Sequence, residues 1–306
     1  MNAEAHTPVI VPGTWSALDL ASLSGVLLVV GAPNTGKSTF AHWLCGRLAE
    51  CGQSVAFLDG DVGQSILGPP TTLTLALPTQ TSEVSEGFRS RVHWFVGDVS
   101  PRGRFLPLVV GSSRLTCRAL EAGAQTVVVD TTGLVDRAQG GVALKHALVD
   151  QLQPTTLFAF QRAGELEPIL APLRWLSRRG WQRPPHLCLI ELPVSDAVRP
   201  RDVPNRQARR AATFRRYFAG AGVVRLSLRR CAVFEGWTFA PRRLLALQDA
   251  AGFALALGVI VDYSEASREL SIRTPLADTD AVASIRLGAI GVDADTGREY
   301  RPGRGL

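Results

Sequence analysis

The chain is predicted to adopt an α/β fold, a doubly wound and mostly parallel sheet followed by a smaller C-terminal β domain. Three observations predict it. Short apolar runs alternate with helical patterns from Val26 to about Ile190. The first run opens onto the glycine-bounded stretch Gly31-Ala-Pro-Asn-Thr-Gly-Lys-Ser38. From Val223 onward the helical periodicity fades into short runs punctuated by turn residues. The expected divisions are an N-terminal extension over 1–24, a nucleotide domain over 25–222 with an arginine-rich lid at about 199–218, and a β-rich domain over 223–306.

In chain order, the candidate strands of the nucleotide domain are Val26 to Val30, Val55 to Leu58, Val92 to Val96, Thr126 to Val129, Thr156 to Phe160 and Leu187 to Ile190. Their near-continuous hydrophobicity suits strands buried on both faces, with the intervening helices as covers. The first of those helices is expected over Thr39 to Glu50. Ligands belong beyond the carboxyl ends of such strands. The later runs Leu244 to Gln248, Ala254 to Tyr263, Leu270 to Arg273 and Ala283 to Ile290 read as β structure, with hairpin connections at 249–252 and 264–267.

The stretch from Gly31 reads GxxxxGKS between a strand and a helix, the setting in which it forms a phosphate-binding P-loop, so the first domain is of the P-loop NTPase type. Glycines let successive N–H groups face a polyphosphate, Lys37 reaches the outer phosphates, and Ser38 offers a hydroxyl to Mg²⁺. The helix start adds its positive dipole end. Gly31, Ala32, Pro33, Asn34, Thr35, Gly36, Lys37, Ser38 and Thr39 are the expected nucleotide-binding residues. Composition supports a working loop: the chain has two lysines, Lys37 and Lys145, against thirty-one arginines. One lysine is kept where a compact ammonium on a flexible stem is wanted. Lys145 reads as a surface helix lysine.

Acids end two of the strands. In Val55-Ala-Phe-Leu-Asp-Gly-Asp, alternate residues of an extended segment point the same way, so Asp59 and Asp61 can face one site. One can hold Mg²⁺ and the other can accept the proton of an attacking hydroxyl; Asp-Gly-Asp is also good turn chemistry. Asp130, at the end of Thr126-Val-Val-Val-Asp, is either a metal-shell acid or a helix N-cap. Thr131 and Thr132 are candidate donors to phosphate or substrate.

The net charge is +6, and seven arginines with the single acid Asp202 fall between Arg199 and Arg216. Such a cluster calls for anionic company, a nucleotide's phosphates or a nucleic-acid backbone, or else is a solvated basic helix face. Arg206 and Arg210 share one face of a helix expected to run to Phe218, where two guanidiniums on a mobile helix can close over a transferring phosphoryl group. The proline-bounded segment from Arg199 to Pro204 is the expected hinge. No apolar run reaches the ~18 residues of a membrane span, and the N-terminus lacks the pattern of a secretory signal. The five cysteines form no CxxC pair, which argues against a disulfide framework or zinc site and for the cytoplasm.

The ordered motifs resemble the polynucleotide 5′-hydroxyl kinase family, which includes the RNA kinase subunit of the messenger-RNA cleavage and polyadenylation machinery and the kinase that processes pre-ribosomal RNA. The likeness runs from Pro12-Gly-Thr-Trp15 through the P-loop, Leu58-Asp-Gly-Asp-Val-Gly-Gln64, Gly68-Pro-Pro-Thr-Thr72, Gly97-Asp-Val-Ser-Pro101, Asp130-Thr-Thr-Gly133 and Arg206-x-x-x-Arg210 to the segments Ala254 to Gly258 and Ile272 to Leu276. The resemblance implies transfer of the γ-phosphoryl group of ATP to a 5′-hydroxyl end of RNA or DNA. It makes Lys37 the phosphate clamp, Ser38 a Mg²⁺ ligand, Asp61 the base or metal-organising acid, and Arg206 and Arg210 the lid. Gln64 then lies near the reacting phosphates; Gly97, Ser100 and Pro101, with Thr131, Thr132 and Gly133, help hold the substrate. Two departures stand out. Leu134 takes the place of a tryptophan that stacks on a base in many members, and only about twenty-five residues precede the first core strand, by the strand signals, where eukaryotic members carry a large domain. Trp15 either covers the nucleotide base or packs in the core. The rival readings are an ATP-binding scaffold with little catalysis and a small-metabolite kinase; a gain from lengthening the acceptor, lost with salt, separates the latter.

Overall fold

The computed structural model describes residues 11–78, 90–179, 187–199 and 202–301. The N-terminal residues before Val11, and Arg201 of the basic run, lie outside the described residues. The chain packs as two units, and each draws on separate stretches of sequence. Of the described residues, 11–57, 78, 120–179 and 187–199 belong to the first, and 58–77, 90–119 and 202–301 to the second.

The first unit opens with a short helix α1 (Gly13–Ser16) and the strand β1 (Gly25–Gly31), which leads through the phosphate loop into α2 (Lys37–Glu50). The chain leaves this unit within β2 (Val55–Gly60). It returns for β5 (Thr126–Thr131), α4 (Gly141–Leu152), β6 (Thr156–Gln161), α5 (Glu167–Arg178) and β7 (Cys188–Pro193). β1 lies between β5 and β6, and β7 pairs with β6, all parallel. Val26 to Val30 are buried, as expected of a central strand covered on both faces. α2 packs on β1 and β5, and α4 on β1 and α5. Trp15 takes the packing role: its ring meets Phe40 edge-on at 5.1 Å, and Phe40 in turn meets Phe158 at 5.0 Å and Phe160 at 5.1 Å.

The second unit contains β3 (Thr72–Ala76), β4 (Arg91–Phe95), α3 (Phe105–Glu121), which ends in the first, and α6 (Val203–Tyr217). The strands β8 (Gly222–Ser227), β9 (Ala232–Phe234), β10 (Arg243–Gln248), β11 (Ala254–Ser264), β12 (Glu269–Thr274), β13 (Ser284–Val292) and β14 (Glu299–Tyr300) complete it. β10 and β11 form a hairpin, as do β11 and β12, at the turns expected from sequence. β13 pairs antiparallel with β10 and β14 and parallel with β9. Alternation along β10 sends Leu244 and Ala246 into one core, with Phe214 and Phe218 from the end of α6, and Leu245 and Leu247 into another with Ile260 and Ile272. Both faces are thus buried, and the strand reads as a continuous apolar run. Among the described residues no helix is long and apolar enough to cross a membrane. All five cysteines are unpaired.

Candidate active site

The phosphate loop occupies residues 32–36 between β1 and α2. Gly36 stands at the helix N-cap with φ +85°, and Asn34 also has a positive φ, 59°. At Gly31 a β-carbon would lie 2.8 Å from both the Phe160 carbonyl and the Thr35 hydroxyl, so only glycine allows the strand to turn into the loop. Lys37 is buried and its ammonium donates to the Ala32 carbonyl at 3.0 Å, as does the Thr35 hydroxyl at 2.9 Å. The lysine is therefore folded back across its own loop, where a polyphosphate would sit. Ser38 and Thr39 follow in the first turn of α2, half-buried and exposed respectively.

The end of β5 reinforces this cradle. Register places Asp130 beside Val29 of β1, and Asp130 is buried. A β-carbon on Gly133 would lie 2.9 Å from Pro33, so the Thr131-Thr132-Gly133 turn lies directly on the phosphate loop. Lys145 corrects the expectation of a surface residue. It is fully buried, and its ammonium donates to the Thr131 hydroxyl at 2.8 Å and the Thr132 carbonyl at 2.6 Å. It falls with Gly141, Leu144, Leu148, Val149 and Leu152 on the buried stripe of α4. That helical spacing is the sequence signal that places it inside.

On the other flank, Arg162 at the end of β6 donates to the Asn34 carbonyl at 2.6 Å. Arg162 also lines a cavity of about 440 Å³ with Gln161, Pro193, Val194, Ser195, Asp196 and Val198. The cavity lies at the carboxyl ends of β6 and β7, and Val198 would meet a β-carbon on Gly36 at 3.3 Å. A loop gripping phosphates with a pocket of this size alongside is the arrangement that holds a nucleotide in open α/β sheets.

In the second unit three sequence motifs are tied together around Thr71, which has φ 76°. Its N–H donates to the Val62 carbonyl at 2.9 Å, and its carbonyl accepts from the N–H groups of Val96 at 2.9 Å and Gly97 at 3.2 Å. A β-carbon on Gly63 would stand 2.6 Å from the Val99 carbonyl, and one on Gly68 would stand 2.0 Å from the Thr74 hydroxyl. The segments 58–64, 68–72 and 97–101 are thus one packed loop cluster.

Within it the two acids play different parts. Asp59 is fully buried; its Oδ2 accepts from the Ser65 hydroxyl at 2.8 Å and the N–H groups of Ile66 and Leu67 at 2.6 and 3.1 Å, and its Oδ1 from the N–H of Asp61 at 3.3 Å. Burial pushes its carboxyl up against these donors, which pull it down. Both oxygens serve the loop, so Asp59 is a loop-setting group instead of an open metal ligand. Asp61 is half-buried, and its Oδ1 accepts from the N–H groups of Gly63 and Gln64 at 3.0 and 3.1 Å. The two bonds fix its direction while leaving the second oxygen for other work. Gln64 donates to the Arg206 carbonyl at 3.5 Å, and its own buried side-chain oxygen has no partner among the described residues.

Gly97, with φ +84°, accepts from Ala289 at 2.8 Å and so hangs the 97–101 segment on β13. Asp98, a residue that motif reading passes over, is buried; it accepts from the Ser100 N–H at 3.0 Å and from Arg301 in a two-pronged pair. Ser100 and Pro101 remain half-buried.

The helix α6 begins at Asp202, whose side chain caps the Asn205 N–H at 2.9 Å. Its two expected lid arginines differ. Arg206 is half-buried with no ion pair to its guanidinium among the described residues, but Arg210 is held by Glu299 of β14, with Nε at 2.9 Å from one carboxylate oxygen and 3.2 Å from the other. A β-carbon on Gly297 would also lie 1.9 Å from the Ala211 carbonyl, and Phe214 is fully buried. The expectation of a mobile helix presenting two free guanidiniums is corrected on this point: α6 is anchored within its unit from Arg210 onward.

The chain is similar to known proteins along most of its length. Residues 31–220 match the model of the family described as mRNA cleavage and polyadenylation factor CLP1 P-loop. The chain is 25% identical to a polyribonucleotide 5′-hydroxyl-kinase of Pyrococcus abyssi over 88% of each chain. It is 27% identical to one of Thermococcus kodakarensis over 87% of this chain and 88% of that one. The structure of the wild-type Clp1p–Pcf11p complex matches with a TM-score of 0.63 at 13% identity, over 87% of this chain and 74% of that chain, and so shares the fold.

Proposed function

Because the chain belongs to the mRNA cleavage and polyadenylation factor CLP1 P-loop family, we propose that it is an enzyme that transfers the γ-phosphoryl group of ATP to the 5′-hydroxyl end of RNA. The observation that carries this reading is the closed phosphate cradle, with Lys37 folded across it and the Thr131–Gly133 turn packed on Pro33. It occurs in a chain that aligns with polyribonucleotide 5′-hydroxyl-kinases along 88% of its length and theirs.

Each group has a part in the transfer. The N–H groups of residues 34–38 and the Lys37 ammonium bind the polyphosphate, and the cavity at Arg162 and Val198 takes the nucleoside. Asp61 accepts the proton of the RNA hydroxyl as that oxygen bonds to the γ-phosphorus and the bond to the β-phosphate bridge breaks, leaving ADP. Arg206 meets the charge that develops on the transferring group, an effect worth ~10³–10⁵ in rate for an arginine finger. Such transfer requires Asp61 and Arg206 to reach the phosphoryl group while it is gripped by Lys37. The 97–101 segment holds the end of the acceptor.

The donor set fits Mg²⁺. Among the described residues no three acid, histidine or cysteine side chains gather as a metal cage, and Mg²⁺ typically takes one or two side chains together with substrate phosphates. Ser38 and Asp130 of the first unit are the residues that would hold it; when bound, Mg²⁺ would neutralise phosphate charge.

The test compares 5′-hydroxyl RNA, 5′-hydroxyl DNA and a free nucleoside as acceptors for γ-labelled ATP, with and without Mg²⁺. Label on the RNA end that is lost on chelation supports the reading. Transfer to the nucleoside as efficient as to RNA overturns it in favour of a metabolite kinase, and tight ATP binding without transfer to any acceptor leaves a scaffold.

A further inference from the structure

The last residue of β9 and the loop that follows it carry two exposed aromatic side chains, Phe234 at 45% and Trp237 at 62%. Neither serves the core, and both are held in place. Trp237 meets Phe239 edge-on at 6.0 Å, and Phe239 rests on Tyr263 at 4.6 Å. Glu235 and Gly236 have successive positive φ angles of 70° and 98°, which fix the turn between the two rings.

Arginines surround these rings. The Arg286 guanidinium lies 5.0 Å over the Phe234 ring. Arg286 and Arg104 share one carboxylate, Glu235, at 3.1 and 3.4 Å. Arg243 donates to the Gly288 and Thr238 carbonyls at 2.9 and 2.8 Å. Burial, and after it the like charge of Arg104, pulls the Arg243 guanidinium below its ordinary value. Arg104 and Arg286 thus share one acid, and the surplus positive charge sits beside two exposed rings.

The patch is continuous with the loop cluster assigned to the acceptor. The Arg104 N–H donates to the Pro101 carbonyl at 3.0 Å. Gly288, which Arg243 holds, adjoins Ala289, whose N–H binds the Gly97 carbonyl at 2.8 Å. We propose that Phe234 and Trp237, with Arg104 and Arg286, form a docking surface for single-stranded RNA downstream of its 5′ end. Stacked bases meet the rings and phosphates meet the arginines, the combination by which single strands are bound without strong sequence preference. Positive charge beside open rings favours a polyanion with bases over an apolar peptide. The proposal rests on the RNA-kinase reading for its substrate, and its test does not need turnover.

The test measures binding of the full chain to a 3′-labelled 20-nucleotide oligouridine carrying a 5′-phosphate, against a trinucleotide of the same kind, by fluorescence anisotropy. Trp237→Ala should weaken the 20-mer about tenfold and leave the trinucleotide unchanged, since one stacked base is worth ~1–3 kcal/mol. In the Arg104→Gln/Arg286→Gln protein the slope of log affinity against log salt should fall by about 1.4, at ~0.7 per phosphate of a single strand. Ultraviolet crosslinking of the unmutated chain should mark the peptide holding Trp237, a result independent of any variant's folding. Equal affinity of the unmutated chain for the two lengths, an unchanged Trp237→Ala protein of unchanged melting temperature, or displacement of the 20-mer by polyglutamate at lower concentration than by RNA would overturn the proposal. A chain that binds the 20-mer through this loop but transfers no phosphate would refute the kinase reading alone.

Discussion

The Lys145 ammonium lies 2.8 Å from the Thr131 hydroxyl, which itself donates to the Val29 carbonyl at 2.8 Å. This relay ties the buried face of α4 through the end of β5 to the strand that feeds the phosphate loop. A second bond from Lys145 to the Thr132 carbonyl fixes the turn that rests on Pro33. One of the chain's two lysines therefore positions the cradle, and the other folds back across it.

Replacing Lys145 by methionine keeps the stem and removes the donor. The Thr132 carbonyl and Thr131 hydroxyl then lose a buried partner, at ~1–3 kcal/mol for a group left unsatisfied. The melting temperature should fall and the apparent affinity for ATP should weaken. Lys145→Arg should not rescue either, because a planar fork needs room that this fully buried site lacks. Thermal unfolding with and without ATP checks both.

The two acids of the 58–64 loop should respond in opposite ways. Asp61→Asn should cut the transfer rate by ~10²–10⁴ with little change in melting temperature, as expected of a proton acceptor. Asp59→Asn places an amide against the N–H groups of Ile66 and Leu67, or loses the Ser65 contact, and should destabilise the chain by ~1–3 kcal/mol. Paired melting curves and rate measurements decide whether the roles are divided in this way.

Arg206 and Arg210, four residues apart, should also separate. Arg206→Ala should slow transfer without destabilising. Arg210→Ala and Glu299→Ala should each lower stability, with a coupling of about 1–2 kcal/mol in a double-mutant cycle, between the values for exposed and buried pairs. Equal rate losses for the two arginines, with no coupling to Glu299, would put Arg210 back among the lid residues.

Acid should weaken the second unit through His93, which bonds to Thr74 across the β3–β4 pair at 3.0 Å. Burial first, and the charge of Arg91 second, push its ring from the ordinary 6.5 down to about 4. The unfolded chain then binds the proton more readily, so stability is full above pH 6.5, declines as pH falls toward 4, and levels off below it. The loss amounts to ~3 kcal/mol at its limit. His93→Gln should flatten that part of a stability–pH profile.

The strands of the first unit and the phosphate loop are legible in the sequence because each rests on local rules: an apolar run, glycines where the backbone turns, and a helix immediately after. β3 is less legible because its five buried residues begin one residue beyond a proline pair, and β9 and β14 span only three and two residues. The fate of Arg210 depends on Glu299, eighty-nine positions away, and no spacing within α6 reveals it. Asp59 and Asp61 look equivalent as sequence; what separates them is the course of residues 65–67, which turn back to spend one carboxylate on their own N–H groups. Lys145 was legible in principle, since its position on the apolar stripe of α4 outweighs the habit of placing lysine at the surface.

The measurement that bears most directly on the central claim is single-turnover transfer from γ-labelled ATP, preloaded on the protein, to a 5′-hydroxyl RNA. The account predicts label at the RNA 5′ end with the unmutated chain, and for Asp61→Asn an intact ATP complex whose transfer is slowed by ~10² or more. Transfer by Asp61→Asn at the unmutated rate, or label appearing anywhere but the 5′ terminus, would contradict it.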